Sequence, residues 1–138
     1  MRFLLIVKAN ADTEAGKLPS DEMMATMGKF NEELMKAGVL LDLNGLHPTS
    51  TGVRIRHSDG QRSVLEGPFP GSGELIAGYW LIQVRSREEA IEWALRAPAP
   101  HGEGNEGEIE VRQVYEVGEL GSGEAVERER GLDVVPRR

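Results

Sequence analysis

Three histidines, at positions 47, 57 and 101, are the side chains of this sequence whose ordinary titration falls near neutral pH. His47 stands in Gly45-Leu46-His47-Pro48, between an apolar segment and a hairpin pattern, where a loop on a rigid sheet presents an imidazole to a cleft. Proton transfer is the chemistry such a group offers. The plainer reading is a loop histidine that only hydrogen-bonds its neighbours. Glu66 heads the turn Gly67-Pro68-Phe69. Its carboxylate either accepts the N–H groups of that turn, or acts as acid–base partner to His47 where the loops meet. Tyr79 and Trp80 are adjacent on one strand and point to opposite faces, so one of them at most is free for a ligand. Arg112 on the last strand, and Arg54 with Arg56 on one face of the hairpin, suit a carboxylate ligand if they line a cavity. On an exposed sheet face they serve solubility instead.

No metal and no cofactor is expected. His101, Glu103, Glu106 and Glu108 cluster in sequence, but the histidines lack a ligand spacing such as H-x-x-x-H, and the cluster reads as a solvated acidic loop. Gly102-Glu103-Gly104-Asn105-Glu106-Gly107 fits G-x-G-x-x-G by letter. A helix pattern precedes it and a strand follows, the reverse of the order that sets a pyrophosphate at a helix N-terminus. Cysteine is absent, which excludes disulfides, thiolate nucleophiles and cysteine-ligated metals. Net charge is -7, from 23 acidic and 16 basic residues, so phosphate backbones and anionic membrane surfaces are poor partners. The apolar run Phe3–Val7 is too short for a signal-peptide core or a membrane span, and a cytoplasmic protein is expected.

The elements that must hold these residues follow from periodicity. Residues 2–8 form an apolar strand, and 9–19 read as loop. Ser20 caps a helix with Met23, Met27, Phe30 and Leu34 on one stripe, stopped at Gly38. A short strand spans 39–43. Strands 53–57 and 62–66 flank an Asp59-Gly60 hairpin turn. Residues 78–84 are rich in aromatic and branched side chains and make the next strand. Ser86 and Glu89 form a capping box for a helix ending near Ala97, before Pro98 and Pro100. The last strand runs 109–117, with Ile109, Val111 and Tyr115 on its buried side, and 118–138 form a polar tail. The order β-α-β, hairpin, β-α-β predicts one α+β domain over 1–117, ferredoxin-like, with both helices on one face of an antiparallel sheet.

The stretches FNEELMKAGVLLDLNG (30–45), GLHP (45–48), LEGPFPGSGELIAGYWLIQV (65–84), EEAIEWALRAP (88–98) and EIEVRQVYEV (108–117) resemble the YCII-related, or DGPF-domain, proteins. The Asp-Gly-Pro-Phe signature of that family stands here as Glu66-Gly67-Pro68-Phe69. The resemblance implies a dimeric α+β barrel, two sheets face to face with helices outside. It also implies small-molecule enzymes using a His–Asp pair in one branch, and small domains encoded near transcription regulators in others. The enzyme-like branch carries its histidine early in the first helix, whereas positions 21–37 here hold none. Two functions follow as expectations. One is a homodimeric small-molecule-binding domain, lyase- or isomerase-like, using His47 and Glu66 with Arg112, Tyr79 and Arg54 around the ligand. The other is a non-catalytic interaction or regulatory module acting through its dimer surface or acidic tail.

Overall fold

Unbroken apolar runs want burial, and the first of them, β1 (Arg2–Lys8), lies inside the main sheet. The computed structural model describes residues 1–121 and 123–130; the other positions of the expected tail, 122 and 131–138, lie outside the described residues. Four strands, β1, β2 (Leu40–Gly45), β5 (Ile76–Gln83) and β6 (Ile109–Gln113), form one sheet in the order β2-β5-β1-β6. Every pairing within it is antiparallel. β3 (Val53–Ser58) and β4 (Gln61–Glu66) make a separate two-stranded sheet. Helices α1 (Ala11–Glu14), α2 (Asp21–Lys36), α3 (Arg87–Arg96) and α4 (Glu124–Arg130) complete an α+β architecture.

Residues opposite one another in the register share a face. Phe3 and Leu5 of β1 therefore align with Trp80 and Ile82 of β5, and Leu5 with Val111 of β6. Against this face pack Phe30 and Leu34 of α2 and Ala90 and Trp93 of α3. Phe30 meets Trp80 edge-on at 5.3 Å and Trp93 at 6.3 Å between ring centroids. The Trp80 indole N–H donates to Asn31 Oδ1 at 2.7 Å, so the buried ring keeps its polar atom satisfied. Outside the core, Arg96 stacks on Trp93 and pairs with Glu33 at 3.1 Å, tying α3 to α2.

Local chemistry sets the ends. Ser20 Oγ accepts from Met23 N, and Gly38 adopts φ +73°, the left-handed conformation that ends α2. Ser86 Oγ accepts from Glu89 N, while the Glu89 carboxylate reaches Arg85 N, one residue earlier than a standard capping box. Asp59 (φ 50°) and Gly60 (φ 75°) form the two-residue hairpin turn. Two expectations are corrected. Residues 9–19 are not all loop: Asn10 and Thr13 cap one another and wind α1. β6 stops at Gln113; Val114 N bonds Arg2 O at the first residue of β1, and Tyr115 is 72% exposed rather than buried. The polar tail is partly helical, with a 3₁₀ turn at Val117–Leu120 and α4 beyond it.

Leu34 is fully buried in the last turn of α2, whereas Met24 on the same helix is exposed. Leu34→Ala is expected to lower unfolding free energy by about 2–5 kcal/mol in urea denaturation, and Met24→Ala to stay within about 0.5 kcal/mol of the parent.

Candidate functional site

The candidate residues lie on two neighbouring structures, the base of the hairpin and the sheet face turned away from the core. After β2 the chain is held by Leu46 N donating to Ala77 O, then turns at Pro48 into the 3₁₀ segment Thr49–Thr51. Glu14 of α1 clamps that segment: its carboxylate accepts from Thr49 N at 3.1 Å and from Thr49 Oγ1 at 2.6 Å. Thr49 Oγ1 in turn accepts from Phe69 N at 3.0 Å, and Gly52 O accepts from Gly67 N at 2.9 Å. The Glu-Gly-Pro-Phe turn is thus fastened to the loop that carries His47. A Cβ on Gly67 would stand 1.7 Å from Thr49 O, so this close backbone approach requires glycine.

His47 and Glu66 are both exposed, and no hydrogen bond joins them. The N–H groups of the turn that Glu66 was expected to receive go to Thr49 Oγ1 and Gly52 O instead. The Arg54 guanidinium lies 3.9 Å over the Phe69 ring, a cation–π contact that braces the hairpin against the turn. His101 sits with Nε2 3.0 Å from Lys8 O, tying its loop to β1. Among the described residues no group of three or more His, Asp or Glu side chains is placed to hold a metal ion.

The second sheet face carries Leu4 and Ile6 of β1 and Tyr79 and Leu81 of β5, all half-buried. Along its β2 side, the Tyr79 hydroxyl donates to Asp42 Oδ2 at 2.9 Å and accepts from Asn44 Nδ2 at 3.0 Å. Asp42 Oδ1 accepts from Leu43 N. Asp42 and Asn44 were not singled out in the sequence, although the alternation Leu41-Asp42-Leu43-Asn44 marks a strand with one polar face. Along the β6 side, Glu110 takes Arg112 at 3.0 Å and Lys8 at 3.2 Å, while Arg2 holds Glu116 through two contacts of 3.0 and 3.1 Å. The hydrogen bond from Arg112, then that from Lys8, holds the Glu110 carboxyl below its ordinary value; Arg2 does the same for Glu116. An apolar depression of about 390 Å³ between α3 and β6, lined by Ile91, Leu95, Pro98, Ile109 and Val111 among others, holds no titratable side chain to orient a ligand. The chemistry gathers on the second face.

Gly67→Ala is expected to lose at least about 2 kcal/mol in thermal or urea unfolding, since backbone must move to admit the methyl group. The lowered Glu110 pKa fixes the sign of a pH effect. Its contribution to stability is present above the ordinary carboxyl value of 4.5 and is lost as pH falls through the lowered folded value. Urea midpoints of the parent and Glu110→Gln should therefore differ at neutral pH and converge in acid.

A model of the YCII-related domain matches residues 1–118. An uncharacterized protein of Rhizobium meliloti (strain 1021) is 30% identical over 111 residues, spanning 80% of this chain and 90% of that protein. The family model over residues 1–118 and a relative matched over 80% of this chain and 90% of its own length agree: the chain belongs to the YCII-related domain family.

Proposed function

We propose that the protein is a homodimeric small-molecule-binding domain, with a lyase- or isomerase-like site between the second sheet face and the His47 loop. The observation that carries this reading is the Asp42–Tyr79–Asn44 cluster beside apolar Leu4, Ile6 and Leu81. A few oriented polar groups on an apolar floor suit recognition of a small ligand. The strand order β2-β5-β1-β6, with helices on one side, supports a ferredoxin-like sheet whose other face a second copy covers, giving the dimeric α+β barrel. In this reading Tyr79 hydrogen-bonds the ligand, Asp42 and Asn44 set the direction of its hydroxyl, and exposed His47 moves the proton. Arg112, 70% exposed beyond its pair with Glu110, receives an anionic group. Arg54 contributes through the stacked Phe69 loop, and Glu66 supplies a second carboxylate at the hairpin base.

A non-catalytic interaction module is favoured by one observation, that His47 and Glu66 are exposed with no hydrogen bond between them. A thermal-shift screen against small metabolites separates the two. A ligand at about 100 times its dissociation constant adds about 2.7 kcal/mol, on the order of 5–15 °C for a domain of this size. The expected result is a hit whose shift shrinks in Tyr79→Phe and whose turnover falls in His47→Ala. A flat screen of well-folded protein sinks the small-molecule reading and moves the work to partner capture.

A further inference from the structure

Register carries one line straight across the second face. Asp42 of β2 stands opposite Leu81 of β5, Leu81 opposite Leu4 of β1, and Leu4 opposite Arg112 of β6. Partners in register share a face, so an acid, two leucines and a base lie in one row on the side away from the core. With neighbouring strands 4.7–4.9 Å apart, the two ends of the row are about 14 Å apart from Cα to Cα. Asp42 is half-buried, and among the described residues its partners are all neutral: Leu43 N and the Tyr79 hydroxyl at 2.9 Å, and Asn44 Nδ2 at 3.4 Å. A carboxylate offers about four acceptor sites, so two short bonds leave it able to take a cation. At the other end Glu110 is shared by two cations, Lys8 and Arg112, which leaves one positive charge over, and the Arg112 side chain is 70% exposed. Between the ends the floor is Leu81 and Leu4, both half-buried.

We infer that the second face binds a linear ω-amino acid laid along this row, its ammonium on Asp42, its methylene chain on Leu81 and Leu4, and its carboxylate on Arg112. The inference rests on the small-molecule site proposed above and names the ligand class of that site. A half-buried carboxylate with neutral partners lacks a counter-charge, and an ammonium supplies it. The positive charge left over beside Glu110 does the same for a carboxylate, which a guanidinium takes through two parallel hydrogen bonds. The two leucines disfavour a ligand with a polar middle, because its polar groups would lose water and gain no partner there. An α-amino acid carries both charges on one carbon and cannot reach both ends. The order of acid, apolar floor and base across the four strands therefore selects for charge at the two ends of an apolar chain.

Calorimetric titration of the full chain with 8-aminooctanoate, octanoate and octylamine tests this, and the comparison on the parent needs no variant. The zwitterion should bind about 10-fold tighter or more than either analogue, since each analogue lacks one charge-assisted bond. Asp42→Asn, checked for folding by circular dichroism, should bring 8-aminooctanoate down to the affinity of octanoate and leave octanoate unchanged. Arg112→Gln should bring it down to the affinity of octylamine. Equal binding of octanoate and 8-aminooctanoate by the parent overturns the Asp42 end of the row. Equal binding of octylamine and 8-aminooctanoate overturns the Arg112 end. If none of the three binds while the metabolite screen returns a ligand of another class, weakened in Tyr79→Phe, the ω-amino acid is overturned and the small-molecule site stands. A flat result in both experiments overturns the ligand class and the site beneath it.

Discussion

The Phe30 ring, wedged edge-on between Trp80 of the sheet and Trp93 of α3, joins all three elements of the core, and the rest of the molecule is arranged around that contact. Because Phe30 and Leu34 lie one turn apart on α2, the helix must run along the β5–β1 face with its stripe inward. The hydrogen bond from Trp80 to Asn31 fixes the rotation of that stripe, since a shift of α2 would strand the indole N–H. Trp80 at one face then obliges Tyr79 to occupy the other, and Tyr79 is the residue on which Asp42 and Asn44 converge. Core packing and site geometry are thereby coupled through a single strand.

A second constraint is the close approach at Gly67. The backbone of the Gly-Pro-Phe turn passes so near Thr49 that no side chain fits at Gly67; Gly67 N bonds a carbonyl, Gly52 O, and Phe69 N a side-chain hydroxyl, Thr49 Oγ1. Glu66 heads this turn, yet its carboxylate makes none of the bonds that close it. Glu14, from a helical turn of four residues, completes the clamp from a distance of 35 positions in sequence.

The charge pattern divides the second face into two kinds of surface. Along β6, three cations, Lys8, Arg112 and Arg2, stand paired with two carboxylates, Glu110 and Glu116. Along β2 a carboxylate, an amide and a phenol share hydrogen bonds without a cation among them. Exposed ion pairs contribute little to stability. Their placement opposite the carboxylate side gives the face two edges of different charge character.

Much of the fold was legible in the residues alone. Period-two and period-3.6 patterns located six strands and the two long helices, because burial on one side leaves its mark at every turn and pleat. Caps at Ser20, Gly38 and Ser86, and the Asp59-Gly60 turn, are local chemistry that the sequence states directly. What escaped were outcomes of distant meetings. α1 is too short for its four residues to show a period, and the end of β6 depends on where β1 begins. Glu66 reads from the sequence either as shaping its turn or as a partner to His47; the two loops do meet, and Thr49, a residue with no chemical signature of its own, takes the bonds at that junction. Asp42 joined Tyr79 only through the register of β2 against β5. The sequence by itself determined the six strands, the two long helices and most of their inward faces, since each follows from short-range pattern. Which side chains stand together was decided by strand register and loop closure, which join residues tens of positions apart.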